Sequence, residues 1–105
     1  MNQLTYLIKQ LADELAAPEL GKQSIVLVDD AKSKVILFSF ATGSGLAEHI
    51  APFDATIQVI SGNAAITVGE TAVEGKPGTW IRMSAKIPHS IQAESPVSML
   101  LTLMK

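Results

Sequence analysis

ATIQVISGNAAITVG, residues 55–69, decides the fold. Two short runs rich in Val, Ile and Thr flank Ser61-Gly62-Asn63, residues with turn chemistry. The first run alternates strictly. Ala55, Ile57 and Val59 share one face, and Thr56, Gln58 and Ile60 share the other. A period of two, not 3.6, predicts a half-buried strand.

The same texture extends in both directions. SIVLVD (24–29), KVILFSF (34–40), TAVEG (71–75), TWIRM (79–83), HSIQA (89–93) and SMLLTLM (98–104) are further short apolar runs. DDAKSK, GSG, EGKPG and AESP punctuate them. Many short strands at regular spacing, with no helix signal among them, predict an antiparallel sandwich or barrel over about residues 24–105. In TWIRM, Ile81 and Met83 oppose Trp80 and Arg82. With the Ile/Val/Met side inward, Trp80, Arg82 and Ile60 point outward. A tryptophan beside an arginine has the composition of an interface core. SMLLTLM is apolar on both faces and calls for cover on both. The N-terminal helix or a second subunit would supply it, and a symmetric homodimer through one sheet is the expected arrangement.

Upstream the period changes. Leu4, Leu7, Ile8, Leu11 and Leu15 fall at helical spacing, with Lys9, Gln10, Asp13 and Glu14 opposite, and Pro18 and Gly21 follow. This predicts an amphipathic helix over about residues 3–16, packed on a single domain of residues 1–105.

Composition narrows the function. With 48% apolar and 17% charged residues the chain has material for a core, and a domain this size buries about 60–70% of its unfolded surface. The net charge is −2 and the eight Lys and Arg are scattered, which argues against nucleic acid as a partner. No cysteine is present, so disulfides, thiolate ligands and cysteine nucleophiles are excluded. The start lacks a signal-peptide pattern and no apolar run nears the ~20 residues of a membrane helix, so a cytoplasmic protein without membrane partners is expected.

The candidate chemistry lies in GSGLAEHIAPFDATIQVISG (43–62) and IPHS (87–90), which hold the only two histidines, His49 and His89. These stretches resemble the cupins, a family built on a double-stranded β-helix, or jelly-roll, barrel. The family's first motif, G-x5-H-x-H-x3/4-E-x6-G, places its first histidine on His49 when Gly62 ends it. The second histidine position then falls on Ala51 and the glutamate position on Ala55. Its second motif, G-x5-P-x-G-x2-H-x3-N, runs from Gly78 to His89. Ser84, Lys86 and Ala93 replace its proline, second glycine and asparagine, while Pro88 keeps the "PH" pair. HIAPFDATIQVISG, IPHS and the terminal MLLTLM are closer still to a subfamily reading H-x-x-P-x-D-A-x-x-x-V-L/I-x-G followed by I/V-P-H. The similarity covers about residues 34–105 and implies an all-β cupin barrel with a short N-terminal amphipathic helix. It implies no single activity.

The complete cupin motif offers a first-row metal three imidazoles and a carboxylate. Here two imidazoles remain, and even the sparse two-His-one-carboxylate set needs one more ligand. Asp54, one residue before the glutamate position, serves if an irregular loop at Ala51-Pro52-Phe53 turns it inward. It serves equally as a turn residue accepting backbone N–H bonds. Gln58 is a weaker donor. Two readings follow. The first is a small-molecule-binding cupin, its ligand inside the barrel against His49, His89 and Asp54, walled by Phe53, Ile50 and Met83, and pH-sensitive near ~6.5. The second is an oxygenase or isomerase of a small organic substrate, with a divalent metal (Fe, Mn, Ni or Zn) on His49, His89 and Asp54 or Gln58.

Overall fold

A computed structural model of the chain describes residues 6–105. Nine strands follow one helical turn: α1 (Leu11–Glu14), β1 (Lys22–Asp29), β2 (Ser33–Phe40), β3 (Gly45–His49), β4 (Asp54–Ser61), β5 (Ala64–Val68), β6 (Thr71–Gly75), β7 (Trp80–Met83), β8 (His89–Ala93) and β9 (Val97–Met104). They form a five-stranded sheet, β1-β2-β9-β4-β7, and a four-stranded sheet, β3-β8-β5-β6, with every pairing antiparallel. Successive strands often lie in different sheets, so the chain winds between two layers as a jelly roll does. Eight of the nine strands and the faces of β4 and β7 lie where the sequence predicts; β1 begins two residues earlier than expected, at Lys22, and β3, which ends on His49, is not expected as a strand.

The inner faces meet in one core. Ile57, Val59, Ile66, Met99, Val97 and Phe40 are each no more than 2% exposed. Phe38 and Phe40 stack at 5.6 Å. Thr56, Gln58, Trp80 and Arg82 sit on the opposite face of their strands, with Trp80 61% exposed. β2 is buried on both sides. Leu37 and Ser39, on the face away from Phe38 and Phe40, are also fully covered. Ser39 Oγ finds no partner there among the described residues. Turn chemistry is visible at β1–β2, where Asp30 Oδ1 accepts the N–H groups of Lys32 and Ser33 at 2.9 Å.

The N-terminal expectation is corrected. Leu4 lies outside the described residues. From Tyr6 onward the helix expected to reach residue 16 is the single turn α1, its Gln10 cap making no side-chain hydrogen bond. Tyr6, Leu7 and Ile8 stand exposed. A short helix in water is marginal unless its apolar face is packed, and a missing cap removes a further contribution of about 1 kcal/mol.

Candidate functional site at the barrel mouth

Short loops join the two sheets at one end of the barrel. Residues 50–53 carry β3 into β4, and residues 84–88 carry β7 into β8. His49 closes β3 and His89 opens β8 across from it. The alignment depends on one extra residue. Leu46 faces Ile91, so unbroken alternation would set Glu48 opposite His89 and turn His49 to the outer face. A β-bulge between Leu46 and His49 shifts the register and pairs His49 with His89 instead. His89 falls on the buried row of β8 with Ile91 and Ala93.

The imidazole centroids are 4.2 Å apart at an interplanar angle of 57°. His89 is 3% exposed, whereas His49 is open to solvent. Each ring is held in the same way. His49 Nδ1 lies 2.8 Å from the Ala47 carbonyl and His89 Nδ1 lies 2.9 Å from that of Ile87. A carbonyl only accepts, so each Nδ1 carries the hydrogen, and each neutral ring keeps its lone pair on Nε2. The pair is a preset couple of acceptors, one inside the barrel wall and one at its rim.

The loops around it are braced. Lys86 N–H donates to Ala51 O at 2.8 Å, tying the two connections together. Ile87 N–H bonds Ser84 O at 3.4 Å, and Lys86 has φ 69°, the pattern of a type II turn with its left-handed third residue. Lys86 occupies the motif's second glycine position; the backbone has kept the glycine conformation without the glycine. Asp54 does the work of a turn residue. Its Oδ1 accepts Ala85 N–H at 2.8 Å and its Oδ2 lies 3.3 Å from Arg82. It clamps the loop that delivers His89.

The other sequence candidates are placed as follows. Gln58 is exposed on the outer face beside Trp80, Met83 is 4% exposed in the core opposite Ala55, Phe53 is half-buried and Ile50 is 57% exposed. No cluster of three His, Asp or Glu able to hold a metal exists among the described residues. A barrel of this kind implies a divalent metal, but two imidazoles, alanine at positions 51 and 55, and an Asp54 committed to Ala85 and Arg82 do not fit one. A groove of about 400 Å³ lies elsewhere, on the outer face of the four-stranded sheet, lined by Ser44, Gly45, Ala65, Thr67, Ser90 and Gln92. Its residues carry no sequence signal beyond alternation.

Strand order, winding and a histidine pair at the rim define a cupin-type double-stranded β-helix. No protein-family model matches the chain, and no curated protein matches it in sequence. Solved structures do. A conserved protein of unknown function from Streptococcus pyogenes superposes with a TM-score of 0.86 at 28% identity, covering 100% of this chain and 92% of that one. A cupin superfamily protein from Desulfitobacterium hafniense gives 0.84 at 22% identity, covering 97% and 93%. A cupin 2 conserved barrel domain protein from Leptotrichia buccalis gives 0.84 at 32% identity over 90% of this chain, which spans 46% of that protein. The chain has the double-stranded β-helix fold of the small cupin barrels on which it superposes.

Proposed function

We propose that the protein binds a small organic molecule at the barrel mouth, with His49 and His89 as its polar contacts. The juxtaposition of the two rings carries this reading. A bulge is spent on aiming His49 at His89, and both rings are locked with Nε2 unclaimed by the backbone. Ile50 and the half-buried Phe53 supply apolar surface beside the pair. The ligand sits at the rim, since the interior is filled by the core side chains. A metal-dependent oxygenase or isomerase is the weaker reading, because the donor set stops at two imidazoles.

The test is a fragment screen by NMR on the wild type, His49→Ala and His89→Ala. Binders that shift both imidazole signals and fail against both variants support the reading. A screen whose binders are unaffected by either variant refutes it. Metal analysis of the native protein runs beside it: stoichiometric metal lost in both variants would restore the enzyme reading.

A symmetric homodimer through the five-stranded sheet accompanies this proposal. Exposed Trp80, neighbouring Arg82 and half-buried Leu100 on its outer face support it. Light scattering should give a dimer mass that falls toward the monomer in Trp80→Glu; a wild-type monomer would refute it. No helix among the described residues is long and apolar enough to cross a membrane.

A further inference from the structure

The rim that holds the histidines also holds a lysine with no carboxylate in ion-pair reach among the described residues. Lys34 is one residue in from the start of β2, and its cross-strand neighbour on β9 is Leu103. Leu103 pairs with Ala55 and packs against the core, so the row of Lys34, Ile36, Phe38 and Phe40 faces the barrel interior. Ser33 and Asp54 both pair with Met104, and Asp54 follows the loop from His49. Lys34 therefore lies at the same end of the barrel as His49 and His89. It is half-buried, and no carboxylate among the described residues comes within 4.0 Å of its ammonium.

The acids at this end are engaged or turned away. Asp29, the direct cross-strand neighbour of Lys34, has its carboxylate 2.7 Å from Lys105 Nζ and feels the Lys34 charge only from beyond ion-pair distance. Asp30 accepts two backbone N–H groups of its own turn. Asp54 is bonded to Ala85 and paired with Arg82. Glu48 sits in the bulge and Glu70 in the β5–β6 turn, both exposed. Lys86 is exposed on the neighbouring loop and makes no ion pair among the described residues either. The groups at this mouth left without side-chain partners among the described residues are the Lys34 ammonium, which only donates, and two imidazoles, whose neutral Nε2 only accepts. A ligand satisfies both kinds only by carrying an anionic acceptor and a donor hydroxyl together.

Resting on the small-molecule reading above, we propose that the ligand is a small hydroxycarboxylate. Its carboxylate is held by Lys34, and its hydroxyl donates to an imidazole Nε2. A plain aliphatic acid leaves the imidazoles unserved, and a neutral polyol offers the Lys34 ammonium no close counter-charge.

Titrations of the full chain with lactate and malate, set against propionate, lactamide and propanediol, decide the matter. Imidazole NMR signals of His49 and His89 are the readout. Lactate or malate should shift both rings and bind more tightly than every comparator. Lys34→Gln should weaken malate at least about tenfold, as loss of a charge-assisted hydrogen bond does. Lys34→Arg should restore most of that loss, which separates a charge effect from a folding defect. Lactamide or propanediol binding as tightly as lactate, or Lys34→Gln leaving malate unchanged, overturns the hydroxycarboxylate but leaves the histidine site standing. Should none of these compounds and no member of a wider fragment set move either imidazole, the binding reading falls as well.

Discussion

Replacing Lys86 by glycine should make the protein more stable, although it removes a side chain. Lys86 has φ 69°, a region in which an L residue crowds its own carbonyl at a cost of roughly 1–2 kcal/mol. Glycine escapes that cost and keeps the N–H that binds Ala51 O at 2.8 Å. Against this, glycine gives the unfolded chain more freedom, worth roughly 0.4–1 kcal/mol. The lysine side chain is exposed and makes no ion pair among the described residues, so little else is lost. The balance favours Lys86→Gly by about 0.5–1 kcal/mol, a rise of roughly 3–6 °C in Tm for a domain near this size. Thermal unfolding followed by circular dichroism measures it. Lys86→Ala is the control, since its Cβ stays in the left-handed region and its Tm should stay close to that of the wild type. Lys86→Pro should melt far lower, because it locks φ near −65° and deletes the N–H. The reasoning is refuted if Lys86→Gly melts no higher than Lys86→Ala.

Four shorter predictions follow from other parts of the barrel. Gly45→Ala should cost more than about 3 kcal/mol and separate the two rings, because a Cβ there collides with the Ile91 carbonyl oxygen of β8; an unchanged denaturation midpoint would contradict it. Ile57→Ala, at a fully buried site, should lower stability by about 2–5 kcal/mol in urea unfolding. The Lys105 ammonium, by hydrogen bond and charge, holds the Asp29 carboxyl below the usual carboxylate range. Such a carboxyl adds stability above its ordinary value and loses it as pH falls. The Tm gap between wild type and Lys105→Gln should therefore close from about pH 4 toward pH 2, and a constant gap would count against the pair. Glu94 is pushed the other way, upward, by its hydrogen bond to Glu74 and the repulsion between them. Glu94→Gln should melt at or above the wild type at pH 7, its advantage shrinking as pH falls through the carboxylate range; a lower Tm at pH 7 would refute this.

What the sequence revealed and what it hid have separate physical causes. ATIQVIS could be assigned a buried face because alternation is a property of one strand, and Ile57 and Val59 obey it. The two histidines could be suspected because their motif positions survive. Their meeting depends on a bulge at residues 47–48, which no local pattern announces: from Leu46, plain alternation sends His49 outward. Asp54 carried two readings, since a carboxylate one residue from a ligand position and a carboxylate beside a turn look alike until its partner is known. Ala85 N–H and Arg82 are that partner. Lys34 carries no signal of its own in the sequence; only the register with Leu103 sets it on the inward row. The helix expected over residues 3–16 is present but, among the described residues, shortened to 11–14, for the opposite reason. Helical spacing reports a face that wants cover, not whether cover exists, and Leu7 and Ile8 stand exposed.

Two histidines in the whole chain leave a proton spectrum with no other imidazoles to confuse it. Ring-to-ring nuclear Overhauser effects, read with long-range proton–nitrogen spectra at a pH where both rings are neutral, measure the site itself. Cross-peaks between His49 and His89, with both rings protonated on Nδ1, are the expected result for centroids 4.2 Å apart and Nδ1 bonded to Ala47 and Ile87. Absent cross-peaks, or both hydrogens found on Nε2, would mean the bulge does not deliver His49 to the mouth.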